Sequence, residues 1–261
     1  MCGIVSYIGN LDPTPILLKG LKRLEYRGYD SAGIALLDKN NLYHIKRAGN
    51  VSDLHRQVDS LLAKGSLGIA HTRWATHGVP NDINAHPHLD QTGRIALVHN
   101  GIIENYGAIK ETLIGRGVSF TSDTDSEVLV QLISELYYNN DKKLNFEDAV
   151  KAALQEVVGA YGIVVLCADE PDTMVAARMG SPLVLGVGEG EFLIASDASP
   201  IIEYTRNVIY LDDDEFVRIH KSDYSISNIK SKEIVTKTLT KIDLTIEEIE
   251  KGEVPNFMLK E

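Results

Sequence analysis

The sequence predicts an α+β sandwich, and three observations carry that expectation. Short apolar strands run in blocks in both halves of the chain, three helical stretches fill the middle, and the two kinds of element do not alternate as βαβ units would. With 261 residues, 44% of them hydrophobic and 24% charged, the chain has ordinary globular composition. It is long enough to bury a substantial core without disulfides or metals.

Taken in order, Ile4 to Ile8 is a short buried strand that places Cys2 at its entrance. Pro13 to Leu24 has helical spacing, with Ile16, Leu17, Leu21 and Leu24 on one side and Pro near the first turn. Ser31 to Leu37 and Leu42 to Lys46 form two strands joined by the turn Asp38-Lys-Asn-Asn41. Val51 to Leu62 is helical, Leu67 to His71 a strand, and His71 to Leu89 a long loop containing Gly78 and Pro80. Ile95 to His99 is a strand closed by Asn100-Gly101, a pair that on its own reads as a turn.

Helices follow over Tyr106 to Arg116, Ser126 to Tyr138 and Asn145 to Val157, with Asp125 placed to cap the second. The remainder is rich in strands: Tyr161 to Ala168, Thr173 to Ala177, Leu183 to Val187, Glu191 to Ala195, Val208 to Leu211, Glu215 to His220 and Tyr224 to Ile229. The tail from Leu239 is charged, with a short helix expected over Thr245 to Glu250, and it stops without a cap or polar terminator. That fits a boundary between domains or a naturally short protein. The expected division is a domain over 1–240 and a tail or linker over 241–261.

The net charge of −11 argues against nucleic acid as a partner, because such binding rests on Lys and Arg at phosphates. The N-terminus has no basic segment, the first apolar run is too short for a signal peptide, and no run approaches the roughly 18 residues of a membrane span. There are two cysteines. Cys167 lies in an apolar strand and reads as a buried structural thiol. Two thiols are no disulfide framework, and a cytoplasmic protein is expected.

Cys2 is different. If Met1 is removed, Cys2 carries both a thiol and the chain's free α-amine. A thiol is a strong nucleophile only as thiolate, with an ordinary pKa near 8.5. An α-amine, with a pKa of about 8, can take and return a proton near neutrality. One residue then holds a nucleophile and its own base, as an N-terminal threonine does.

Four further stretches concentrate unusual polar residues. They are Glu25-Tyr-Arg-Gly-Tyr-Asp-Ser-Ala-Gly33, Ala70-His-Thr-Arg-Trp-Ala-Thr-His-Gly78 with the only Trp, His99-Asn-Gly101, and Ser122-Asp-Thr-Asp-Ser126. Histidines gather between positions 71 and 99: His71, His77, His86, His88 and His99. No thiolate pair joins them and no helical His-x-x-x-His spacing is present, so no metal is expected. The Asp212-Asp-Asp-Glu215 run lacks the spacing of a calcium loop and reads as a solvated turn. No Gly-rich phosphate cradle is present, and no cofactor is expected.

Taken together, Cys2-Gly-Ile-Val5, Leu24-Glu-Tyr-Arg-Gly-Tyr-Asp-Ser-Ala-Gly33, His71-Thr-Arg-Trp-Ala-Thr-His-Gly78, Asn84-Ala-His-Pro-His88 and Val98-His-Asn-Gly-Ile-Ile-Glu-Asn105 resemble one family: glutamine amidotransferases with an N-terminal nucleophile. Within it the Tyr-Arg-Gly-Tyr form is similar to the glutaminase domains that serve glutamine:fructose-6-phosphate amidotransferases. The amidophosphoribosyltransferase branch usually carries a Gln-His-Arg-Gly-Gln-like version, and a glutaminase domain of that branch is the enzymatic alternative. A glutamine-binding module without turnover is the non-enzymatic one. The family start is usually Cys-Gly-Ile-Val-Gly, whereas Ser6 stands here in place of the second Gly.

The resemblance implies an N-terminal-nucleophile hydrolase fold, a four-layer αββα sandwich with two antiparallel sheets. It also implies a set of roles. Cys2 attacks the side-chain amide of L-glutamine, with its α-amine as base and then acid. Asn100, through its side-chain amide, and Gly101, through its backbone N–H, hold the oxyanion. Arg73 with Thr76 and His77 binds the α-carboxylate, and Asp125 the α-ammonium. Trp74 covers the site, and Arg27 supports the nucleophile. The implied partners are sugar-isomerase domains, lying outside this sequence, that pass the ammonia to fructose 6-phosphate in a homo-oligomeric enzyme.

Overall fold

A computed structural model describes residues 2–61, 65–75, 78–139 and 143–243. Along the chain lie β1 (Gly3–Ile8), α1 (Pro13–Leu24), a 3₁₀ turn (Glu25–Arg27), β2 (Ser31–Asp38), β3 (Asn41–Ala48), α2 (Val51–Leu61), β4 (Leu67–Arg73), β5 (His88–Leu89) and β6 (Ile95–Ile103). Then come α3 (Tyr106–Gly115), α4 (Asp125–Tyr138), α5 (Phe146–Glu156), β7 (Gly159–Cys167), β8 (Thr173–Met179), β9 (Val184–Val187), β10 (Phe192–Ala195), β11 (Asn207–Tyr210), β12 (Glu215–His220), β13 (Asp223–Asn228) and β14 (Thr240–Lys241). They build an eight-stranded sheet in the order β14-β11-β9-β10-β1-β4-β2-β3 and a six-stranded sheet in the order β13-β12-β8-β7-β6-β5. Every pairing between these strands is antiparallel.

Period-2 alternation explains the layers. Ile4 and Ile8 of β1 meet Ala96 and Val98 of β6 and Val164 and Leu166 of β7 in a core between the sheets. The intervening Val5 and Tyr7 face outward onto Leu17 and Leu21 of α1 and Leu54 of α2. On the far side, Ile95 and Leu97 of β6 pack with Val128 and Ile133 of α4 and Phe146 of α5. The result is the αββα sandwich that the resemblance implied.

Ser6, on the inward face of β1, is fully buried, yet its hydroxyl is satisfied. It accepts from Ile194 N at 3.0 Å and donates to Ile194 O at 3.3 Å. The glycine usual at this position is thus replaced without leaving an orphaned polar group. Cys167 is fully buried, as expected, and burial pushes its thiol up to about 11.

Three local expectations are corrected. Asn100 and Gly101 do not close β6 in a turn. The strand runs through them to Ile103, pairing Asn100 with Gly162 and Gly101 with Tyr161 on β7. Long-range pairing with β7 overrides the local turn preference of Asn-Gly. Likewise β4 continues two residues past His71, to Arg73, because β2 and β1 flank it: Ser31 pairs Arg73, and Gly3 pairs Thr72.

The third correction concerns Asp125, which does not cap α4. Thr124 does, accepting from Glu127 N at 3.2 Å, while Glu127 reaches back to Ser122 N and Thr121 N. Asp125 is the first residue inside the helix, and its carboxylate goes elsewhere. At the C-terminal end, β14 straddles the expected boundary after 240, and the buried Ile242 donates to Arg206 O. The helix expected over Thr245 to Glu250 lies outside the described residues.

Candidate functional site

Sheet geometry alone sets the centre of the site. Ile4 pairs with His71, so the residue two before Ile4, Cys2, leaves β1 on the same inward face beside β4. On the opposing sheet Asn100 shares the inward parity of Ala96 and Val98. The two sheets therefore bring Cys2 and Asn100 together from positions 98 residues apart: Asn100 Nδ2 donates to Cys2 O at 3.0 Å.

The Cys2 thiol is partly buried. Its Sγ accepts from Trp74 N at 3.2 Å and lies 3.6 Å from Trp74 O. Burial raises the thiol's pKa, while the Trp74 N–H and the nearby Arg73 cation act against that rise. At neutral pH the group is a thiol that needs a proton acceptor, not a ready-made thiolate.

The segment after β4 is held by the turn at 25–33. Asp30 N donates to Arg73 O at 3.2 Å, and the Asp30 carboxylate accepts from Ala75 N. A Cβ on Gly28 would lie 2.7 Å from the Arg73 carbonyl carbon, so a residue without a side chain is needed where the two segments cross. Tyr29 meets Trp74 edge-on, with ring centroids 5.7 Å apart. Trp74 stays half exposed, at 48%, on the rim and not in the core.

A cavity of about 230 Å³ opens at this point, lined by Cys2, Arg27, Arg73, Trp74, Asn100 and Asp125 among others. That is below the roughly 300–1,000 Å³ of drug-sized ligand sites and suits one small molecule. Arg73 is buried and its guanidinium makes long contacts, 3.4 and 3.5 Å, to the carbonyls of Gly78 and Val79. Asp125, also buried, accepts from Ile103 N at 2.8 Å. Arg27 is buried rather than on the surface, 3.7 Å from Asp197. Cation and anion thus border one small cleft beside a thiol.

Of the residues expected from the sequence, the structure brings together Cys2, Arg27, Arg73, Trp74, Asn100, Gly101 and Asp125. Thr76 and His77 lie outside the described residues. The sequence assigns no role to Asp30, His71, His86 and Ser181, yet each touches the cavity or a residue that lines it, Asp30 through Arg73 and His71 through Asn100. The buried histidines pack against each other, His71 tilted on His86 at 4.1 Å and His86 edge-on to His88 at 4.7 Å between ring centroids. Burial drives all three well below the ordinary imidazole pKa, so they are neutral. Among the described residues no group of three or more His, Cys, Asp or Glu is placed to hold a metal ion.

The family model of the glutamine amidotransferase domain matches residues 52–248, about three quarters of the sequence. The chain belongs to the glutamine amidotransferase domain family. As such a domain it is 53% identical over its whole length to a glutamine–fructose-6-phosphate aminotransferase (isomerizing) of Chlorobaculum tepidum, of which it covers 42%. It is 49% identical, again over its whole length, to the enzyme of the same name from Thermococcus kodakarensis, covering 43% of it. The chain thus spans about two fifths of the curated relatives it matches. In fold, this amidotransferase domain is similar to the glutamine phosphoribosylpyrophosphate amidotransferase of B. subtilis, solved with ADP and GMP. The TM-score is 0.75 at 24% identity, over 87% of this chain and 49% of that one. Among the described residues no helix is long and apolar enough to cross a membrane.

Proposed function

We propose that this domain hydrolyses L-glutamine to L-glutamate and ammonia through a γ-glutamyl thioester on Cys2. The observation that carries the reading is the single small cleft in which the Cys2 thiol, the Asn100 amide, the Arg73 cation and the Asp125 anion meet. A free amino acid bearing a side-chain amide presents a carboxylate, an ammonium and an electrophilic carbon, one feature for each group.

In this mechanism the α-amine of Cys2, freed by loss of Met1, takes the Sγ proton as Sγ attacks the amide carbon. The tetrahedral oxyanion accepts hydrogen bonds from Asn100 Nδ2 and Gly101 N–H. An amide nitrogen has two N–H groups, so Nδ2 can keep its bond to Cys2 O while serving the oxyanion. The ammonium returns its proton to the departing ammonia, and water then cleaves the thioester by the same path reversed. The raised pKa of the thiol is the reason a base is required. Arg27 stabilises the N-terminal segment, and Thr76 and His77 join Arg73 at the carboxylate.

We further propose that residues 1–240 are the ammonia-supplying domain of a longer cytoplasmic, homo-oligomeric enzyme, and that 241–261 lead toward its sugar-isomerase domains. There the ammonia would convert fructose 6-phosphate to glucosamine 6-phosphate. The names of the relatives at 53% and 49% identity favour this over the phosphoribosyl branch.

The direct test is release of glutamate and ammonia in equal amounts from glutamine, with mass spectrometry of acid-quenched protein locating the thioester on Cys2. Binding of glutamine without release would make the domain a sensor. A protein that retains Met1 is expected to be inactive, because the nitrogen of Cys2 is then a non-basic peptide amide. Full turnover by that form would reject the α-amine as base.

Asp125→Asn separates substrate recognition from folding. Asparagine can still accept from Ile103 N, so the fold should hold. The kcat/KM for glutamine should fall by about 10²-fold, the size of effect expected when one partner of a buried charge pair is lost. Glutamine lacking its α-amino group should start as a poor substrate and lose almost nothing further. Equal losses for the two substrates would show that Asp125 does not read the ammonium.

A further inference from the structure

One buried group beside the cleft has no part in the mechanism above. His71 sits in the middle of the eight-stranded sheet, paired across to Ile4 on one side and Gly33 on the other, and is fully buried. Its Nε2 lies 3.1 Å from the carbonyl oxygen of His99 and 3.0 Å from Asn100 Oδ1. A backbone carbonyl can only accept, so Nε2 carries the proton. The Asn100 atom that it meets must then be an acceptor, the oxygen. On the other side of the amide, Cys2 O at 3.0 Å can also only accept, so the atom facing it must be the nitrogen.

These contacts matter because a carboxamide is nearly symmetric in shape. A half-turn about its last bond exchanges oxygen and nitrogen at little steric cost. In the turned state, donor would face donor at His71 and acceptor would face acceptor at Cys2. An oxygen would also point where the oxyanion forms. The imidazole supports only one arrangement: burial holds its pKa down at about 3, and Nδ1 has no hydrogen-bond partner among the described residues.

We propose that His71 is a positioning residue, whose Nε2–H fixes and polarises the Asn100 carboxamide so that Nδ2, and not Oδ1, faces the oxyanion. The proposal rests on the oxyanion role given to Asn100 above. His71 itself touches neither substrate nor nucleophile.

The test uses two fillers of the histidine site, His71→Met, which has no donor, and His71→Gln, whose amide nitrogen can donate. Each is made in the wild-type and Asn100→Ala backgrounds, and kcat and KM for ammonia release from glutamine are measured, with thermal unfolding to confirm folded protein. His71→Met should lower kcat by about 10- to 10²-fold, the scale of a misplaced catalytic group, with KM nearly unchanged. His71→Gln should recover most of that loss. In the Asn100→Ala background neither substitution should lower kcat further. Losses of equal size in both backgrounds, a loss carried by KM, or equal rates for the Met and Gln proteins would overturn the proposal. If Asn100→Ala alone leaves kcat unchanged, the oxyanion reading itself fails, an outcome distinct from additive losses.

Discussion

Replacing Cys2 with alanine is expected to abolish ammonia release while leaving the domain folded. The loss in kcat should be on the order of 10⁶, as when the serine nucleophile of a covalent hydrolase is removed. The sequence holds one other thiol, and it cannot substitute. That thiol, Cys167, is fully buried on β7 in the core shared with α4 and α5, and its pKa is raised. Folding should be little affected, because Cys2 precedes β1 and, among the described residues, its side chain hydrogen-bonds to the Trp74 backbone. Measurable turnover by the Cys2→Ala protein, with Cys167 unmodified, would remove the thiol from the mechanism.

Gly101→Ala is expected to damage both stability and rate. Gly101 has φ +127°, and a Cβ there would sit 2.0 Å from Ala160 O, on the neighbouring strand. Backbone cannot yield cheaply within a paired strand, so β6 and β7 must separate locally or the strain must be borne. Strain of this kind costs about 1–3 kcal/mol, or roughly 2–4 °C in Tm per kcal/mol for a domain of this size. The movement would carry the Gly101 N–H away from the reacting carbon, and loss of one oxyanion donor costs about 10²–10³ in kcat. A Gly101→Ala protein with the parent Tm and kcat would show that the glycine is a conformational convenience only.

Much of this was readable from residues. Apolar runs locate β1, β6 and β7, and the family resemblance names Cys2, Arg73, Asn100 and Asp125, which the fold places around one cavity. Other features were not readable, for physical reasons. Asn100-Gly101 is a local turn signal, and only its pairing with Gly162 and Tyr161 makes it strand. Asp125 has the chemistry of a helix cap, yet Thr124, one residue earlier, has the extended backbone that a cap needs, with φ −92° and ψ 145°. His71 stands inside a recognisable motif, but its partner Asn100 is 29 residues away on the other sheet. Spacing along a chain holds no record of such a meeting. Asp30 is similar: its role appears only when the 25–33 turn lies against Ala75.

The two faces of β6 have a consequence for how this domain can go wrong. His99 turns outward, its Nδ1 lying 2.8 Å from Ser126 Oγ beside Asp125, while Asn100 turns inward to Cys2. A slip of one residue between β6 and β7 would exchange them. The imidazole would then meet the thiol, and the carboxamide would be lost among the helices. Turnover per mole of soluble protein is therefore a counter of correctly threaded molecules. A mis-threaded chain would stay silent and would not release ammonia at the wrong place.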